Sequence, residues 1–285
     1  MQKYNTAPPL NTGAKTSLLD RDYFKYVPPA FITLILLVGQ VSFGILDSYV
    51  NVVASILTSI VTEMLLAWFV LGTRKNLASA YISGISVGIL IRSNMVWPYI
   101  ITAVISIMSK YVLRYKGRHL WNPSNFGVSW MLFMAPFDVA GLSIQWGNNL
   151  AAMSVIWVLG LLIVARAKRL HVTLSYVGSF IILAYVRSFI TGDAFLAELA
   201  PLTGPMYQLF IFFMITDPPT GVSTKKGQVF VAVLVAVVEF VLRLNSFIYA
   251  PFFALFLVGP PAKFIDLKLK TAKALKEKNK PVPVA

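Results

Sequence analysis

LTGPMYQLFIFFMITDPPTGVSTKK, Leu202 to Lys226, decides how this chain is read. An apolar run from Met206 to Ile215 stops at Thr216-Asp217-Pro218-Pro219-Thr220-Gly221. As a helix it has about half the length needed to cross a bilayer. In the simpler reading the helix is short and DPPTG is its aqueous turn. In the other, the helix ends at membrane depth. Non-helical backbone is tolerated there only where it is buried in protein or lines a cavity.

Composition supports a bilayer around the run. Of the 285 residues 57% are hydrophobic and 13% charged, with a mean hydropathy of +0.73. Soluble domains carry about 25% charged residues. The expectation is an all-α polytopic membrane protein. The chain has no cysteine. That excludes thiolate zinc sites, cysteine-ligated clusters, disulfides and cysteine nucleophiles. His119 and His171 both stand beside basic loop residues, which argues against haem ligation inside the membrane.

Working outward, about ten apolar spans are predicted, near 29–46, 48–72, 77–91, 97–111, 126–140, 150–165, 172–190, 206–216, 228–244 and 247–258. A polar N-terminal arm (residues 1–28) precedes them. The transmembrane domain (29–259) divides into halves at 29–149 and 150–259. Gly259-Pro260-Pro261 is expected to stop the last span before a basic cytoplasmic tail, 260–285. With both termini inside, Arg92, Arg187 and Arg243 are the only outer members of the 25 lysines and arginines. That is the positive-inside bias. The net charge of +14 is then an address for the cytoplasmic face rather than a nucleic-acid footprint. The tail is expected against anionic headgroups.

The third, eighth and tenth spans are short. The third ends at Arg92-Ser93-Asn94 with Pro98 close by, outside; the eighth ends at Thr216-Asp217-Pro218, inside. Opposed breaks five spans apart are the mark of an inverted repeat, which places ligands between interrupted helices.

Three segments carry a resemblance: GISVGILIRSNMVWP (84–98), SKYVLRYKGRHLWNPSNFGV (109–128) and FFMITDPPTGVSTKKGQ (212–228). Together they resemble the RnfD/NqrB family of membrane subunits, nearest to its shorter stand-alone homologues, the UnbU-type enediyne-biosynthesis proteins. The resemblance implies ten helices in two inverted five-helix repeats, urea-transporter-like in shape. It also implies a bacterial cytoplasmic (inner) membrane, partner membrane subunits and an association with flavin. Family members with covalent FMN esterify it to a threonine of an S/T-G-A-T motif just before the eighth helix. Here that position falls on Met206, or on Tyr207 with a one-residue shift. The expectation is therefore FMN, riboflavin or quinone held without a bond, or no cofactor.

The candidate cofactor-binding residues are Arg92, Asn122, Pro123, Asn125, Phe126, Thr203, Thr216, Asp217 and Thr220. Asn122 or Ser124 can cap a helix that Pro123 opens. Such an N-terminus suits a phosphate or ring carbonyl, and capping alone explains it equally well. Asp217 either takes hydrogen bonds from a ligand or caps its own loop. Glu63, mid-span, could carry a proton, pair with Arg92 or orient a ligand; the simpler reading is a protonated interhelical contact. Glu239 and Arg243, four apart, are expected to pair. Arg92 and Arg187 suit an anion, and interfacial snorkelling explains them too. Trp97, Trp121 and Phe126 flank the motifs and could stack on a flavin ring.

Three functions fit: a redox-associated membrane subunit, a non-catalytic accessory of a larger complex, and a small-solute transporter. Any enzyme role is that of a component rather than a stand-alone catalyst. No nucleic-acid partner is expected.

Overall fold

A computed structural model describes residues 27, 29–34, 36, 37, 40, 41, 48–72, 77–141 and 150–278. The predicted arm over residues 1–26, the Arg74-Lys75 loop, the Trp146-Gly147-Asn148 connection and Lys280 lie outside the described residues, as does part of the first span.

The described chain is mostly helical. Residues 29–34 are helical, and ten labelled helices follow. They are α1 Tyr49–Leu66, α2 Ala78–Leu90, α3 Trp97–Val112, α4 Pro123–Met134, α5 Leu150–Arg166, α6 Leu170–Thr191, α7 Phe195–Leu199, α8 Pro205–Leu209, α9 Lys225–Leu244 and α10 Ala250–Lys278. Wider π turns continue α1 over Ala67–Leu71 and α8 over Phe210–Met214. Two antiparallel ribbons complete the described fold. β1 (Ile91–Arg92) pairs with β4 (Ala140–Gly141), Ile91 opposite Gly141. β2 (Arg114–Tyr115) pairs with β3 (Arg118–His119).

Four described helices are long and apolar enough to cross a membrane: Tyr49–Val70, Leu170–Thr191, Lys225–Leu244 and Ala250–Leu275. Ala78–Leu90, Met153–Arg166 and Pro205–Met214 are apolar and shorter. In α1 the burial pattern of a water-soluble helix is inverted. Asn51, Ser55, Ser59 and Glu63, spaced four apart on one face, are buried. Val53, Leu57, Val61 and Met64 face outward. A polar face turned inward and an apolar face turned outward suit a helix whose solvent is lipid. The chain is a multi-pass membrane protein.

Small residues set the closest approaches. A Cβ on Gly84 of α2 would lie 2.6 Å from the Ile56 Cα of α1, and one on Gly88 would lie 3.1 Å from the Val52 Cα. α1 and α2 therefore pack backbone to backbone, the use that membrane helices make of small residues four apart. α1 also packs along α3, and α6 along α9. α3 packs on α4, α9 on α10, and α4 meets α10 across the middle.

The expected stop at Gly259-Pro260-Pro261 is corrected. α10 runs for 29 residues through both prolines. Pro260 has no N–H for the carbonyl four residues back, that of Phe256. Trp121 supplies the missing donor, its Nε1 lying 3.1 Å from the Phe256 oxygen. With that carbonyl satisfied, the helix tolerates the break. Trp121→Phe keeps the aromatic packing and orphans the carbonyl. A loss of about 1–3 kcal/mol is expected, to be read as a lower unfolding temperature in detergent.

Candidate functional site

The site forms where the short α8 ends, against the start of α4. Asn122 is the N-cap of α4, extended at φ −63° and ψ 123°, and its side chain accepts the Asn125 N–H at 3.0 Å. Pro123 is the first helical residue, as the motif predicts. Asn125 and Ser129, one turn apart, both reach across to α10. The Asn125 amide and the Ser129 hydroxyl each donate to the Phe252 carbonyl at 3.2 Å. Asn125 Oδ1, fully buried, has no donor among the described residues. Phe126 stacks on Phe256 at 5.4 Å and meets Trp121 edge-on at 5.7 Å. One face of that ring is thus taken by Phe256 of α10.

Opposite lies the Thr216–Gly221 turn. The Thr216 hydroxyl bonds back to the Phe212 carbonyl at 2.6 Å, closing its own helix. Asp217 accepts from the Thr220 hydroxyl at 2.7 Å, and the Gly221 N–H reaches the Asp217 carbonyl at 3.0 Å. Enclosure pushes the Asp217 carboxyl above the ordinary carboxylate range, while Thr220, the Asn122 amide and the Arg169 guanidinium pull the other way. The influence of the Asn122 amide on the Asp217 carboxyl brings the two motifs together. Lys263 of α10 donates to the Gly221 carbonyl at 2.6 Å and anchors the turn from its far side. His171 Nε2 lies 2.6 Å from Gln228 Oε1, so the ring nitrogen carries the proton; the same amide donates to the Val222 carbonyl.

Between these groups is a recess of about 40 Å³, lined by Trp121, Asn122, Arg169, Thr220, Gly221 and Gln228 with apolar neighbours. That is room for water or a small polar group. Pockets for drug-sized ligands measure roughly 300–1,000 Å³. The recess is far smaller than such pockets, and Met206 and Tyr207 do not line it.

The structure thus gathers Asn122, Pro123, Asn125, Phe126, Thr216, Asp217 and Thr220. It separates the other three candidates. Arg92 sits on β1 opposite Ala140, beyond the end of α2. The Thr203 hydroxyl bonds to the Ala200 carbonyl at the opposite end of α8 from Asp217. Glu63 lies in a cluster of its own. Its Oε2 takes the Lys110 ammonium at 2.8 Å and its Oε1 the Tyr111 hydroxyl at 2.7 Å. Of the roles expected for Glu63, the pairing with Arg92 is replaced by this one.

A second buried carboxylate lies in the other half. Glu239 pairs with Arg243 at 3.0 Å, as their spacing predicts, and accepts the Tyr176 and Tyr207 hydroxyls. Arg187 forms an ion pair with Glu198. Each half therefore buries a carboxylate, a cation and tyrosine between its packed helices.

The match to known proteins falls on the stretch that runs from α5 into α10. Residues 142–273 match the NQR2, RnfD, RnfE family. Over that stretch the chain is similar to proteins of the RnfD/NqrB type. The matched region holds Thr203, Thr216, Asp217 and Thr220, together with Arg169, Gln228 and Lys263. The Asn122 motif precedes it and is tied to it by the bonds to α10. A comparison with curated proteins found no match.

Arg169, Gln228 and Lys263 were not singled out in the sequence. Arg169 and Lys263 stood there only as charges that mark the cytoplasmic side. Their distance in sequence from the TDPPT motif hid their approach to it.

Proposed function

We propose that the chain serves as the membrane subunit of an electron-transport assembly of the Rnf/Nqr type, in the bacterial inner membrane. The family match over residues 142–273 is the observation that carries this reading. The packing supports two inverted halves within it. α1 meets α3 as α6 meets α9, and α4 meets α10. In this reading FMN, riboflavin or quinone belongs to the assembled complex, without a covalent bond. The chain's own recess is small beside a pocket for such a ligand. The chain's part is to hold a polar junction at Asn122 and Asp217 where the halves meet.

Tagged protein drawn from native membranes in mild detergent tests this. Stoichiometric membrane partners are expected, with a flavin band near about 450 nm in the complex. Recovery of the chain alone and colourless would count against it. Partners without any chromophore would favour a second reading, a non-catalytic accessory, which the small recess supports. A solute channel has less support, because Glu63, its natural lining carboxylate, is already engaged by Lys110 and Tyr111.

A further inference from the structure

We propose that the distal part of α10, with the β2–β3 hairpin beside it, is a binding surface for an anionic phospholipid bilayer.

Beyond Pro261 one face of α10 is committed to the protein. Lys263 and Leu267 are buried there. Asp266 accepts from the backbone and hydroxyl of Ser223. Phe264 packs on Tyr115 of the hairpin at 4.6 Å, and the Lys116 ammonium donates to the Thr271 hydroxyl at 2.8 Å. These contacts fix the rotation of the helix about its axis.

The opposite face is free. Ile265 is 55% exposed and Leu269 66% exposed, with Ala272 exposed three residues on. Spacings of four and three hold the three in one stripe. Lys268 and Lys273 stand on either side of it, both exposed. Between Gly259 and Leu275 there are four lysines and one acid, Asp266, which Ser223 already holds. The hairpin adds exposed Lys116 and Arg118.

An apolar stripe flanked by lysines is the pattern of a helix lying in the headgroup layer. The same helix is a membrane-span candidate over Ala250–Leu275, and all its lysines lie from Lys263 onward, so the stripe lies at the charged end of that span. The surplus of cations there calls for an anionic surface, each contributing attraction that falls off within a Debye length.

The absence of native cysteine makes the test clean. Leu269→Cys, labelled with a polarity-sensitive fluorophore, goes into nanodiscs of neutral phosphatidylcholine or of the same lipid with anionic phosphatidylglycerol. Ala272→Cys repeats the measurement on the same stripe. Both labels are expected to shift to the blue in the anionic discs. Salt at about 0.5 M should reverse much of that shift by screening. Lys268→Ser with Lys273→Ser should remove most of it. Water-like emission in both discs would overturn the proposal. So would equal blue emission in both, or a shift that needs other proteins rather than the lipid.

Discussion

Lys110→Met is expected to cost about 3–5 kcal/mol, the usual result of removing one partner from a buried ion pair. Lys110 is 7% exposed and Glu63 3%. The Lys110 ammonium spans the Glu63 carboxylate and the Ser79 hydroxyl, 3.1 Å away. Without it, Glu63 keeps only Tyr111 among the described residues. Water does not replace the lost cation between packed helices, so the charge is left unpaired. The partner experiment separates this from lost packing. Glu63→Leu combined with Lys110→Met removes both charges and should recover most of the stability, since apolar replacement of a buried pair is often neutral. The measurement is the temperature at which the purified protein leaves its monodisperse peak in detergent. A single variant as stable as the parent would contradict the geometry.

Gly84→Leu is expected to have the other large effect. The added Cβ meets only backbone: Ile56 Cα at 2.6 Å, Ser55 O at 3.0 Å and Ile56 N at 3.1 Å. No rotamer change relieves that, so α1 must move away from α2. Overpacking of this kind costs about 1–3 kcal/mol, and more where backbone is involved. The movement would also pull Ser55 away from the Gly84 carbonyl, now 2.9 Å from its hydroxyl. Gly178→Ala is the control. Nothing lies within 4 Å of its Cβ position on α6. There the change should be neutral or slightly stabilising, because alanine favours helix by about 1 kcal/mol over glycine. Equal behaviour of the two variants would show that α1 and α2 do not touch as described.

Legibility in the sequence followed distance along the chain. The end of α8 at Met214, the cap at Asn122, Pro123 at the start of α4 and the Glu239–Arg243 pair all depend on neighbours within a few residues. Turn chemistry and helical spacing report on such neighbours. The partners of Glu63 are 47 and 48 residues away. A lone mid-span carboxylate says that a partner exists without saying which. Pro260-Pro261 misled because a proline rule is local, whereas the donor that sustains the helix is Trp121, 135 residues from the Phe256 carbonyl it serves. Lys263 and Arg169 were read by their sign alone. Their sign carried no information about the carbonyl or carboxylate each would meet. The size of the seam depends on how α4, α9 and α10 close together, which no spacing encodes.

The central claim is that the two short helices, α2 and α8, end on opposite sides of the membrane. Single cysteines at Asn94 and Pro219, both exposed just past those ends, test it in the cysteine-free chain. A membrane-impermeant maleimide should label Asn94→Cys in right-side-out vesicles and Pro219→Cys only in inverted ones. Labelling of both from the same side would contradict the account.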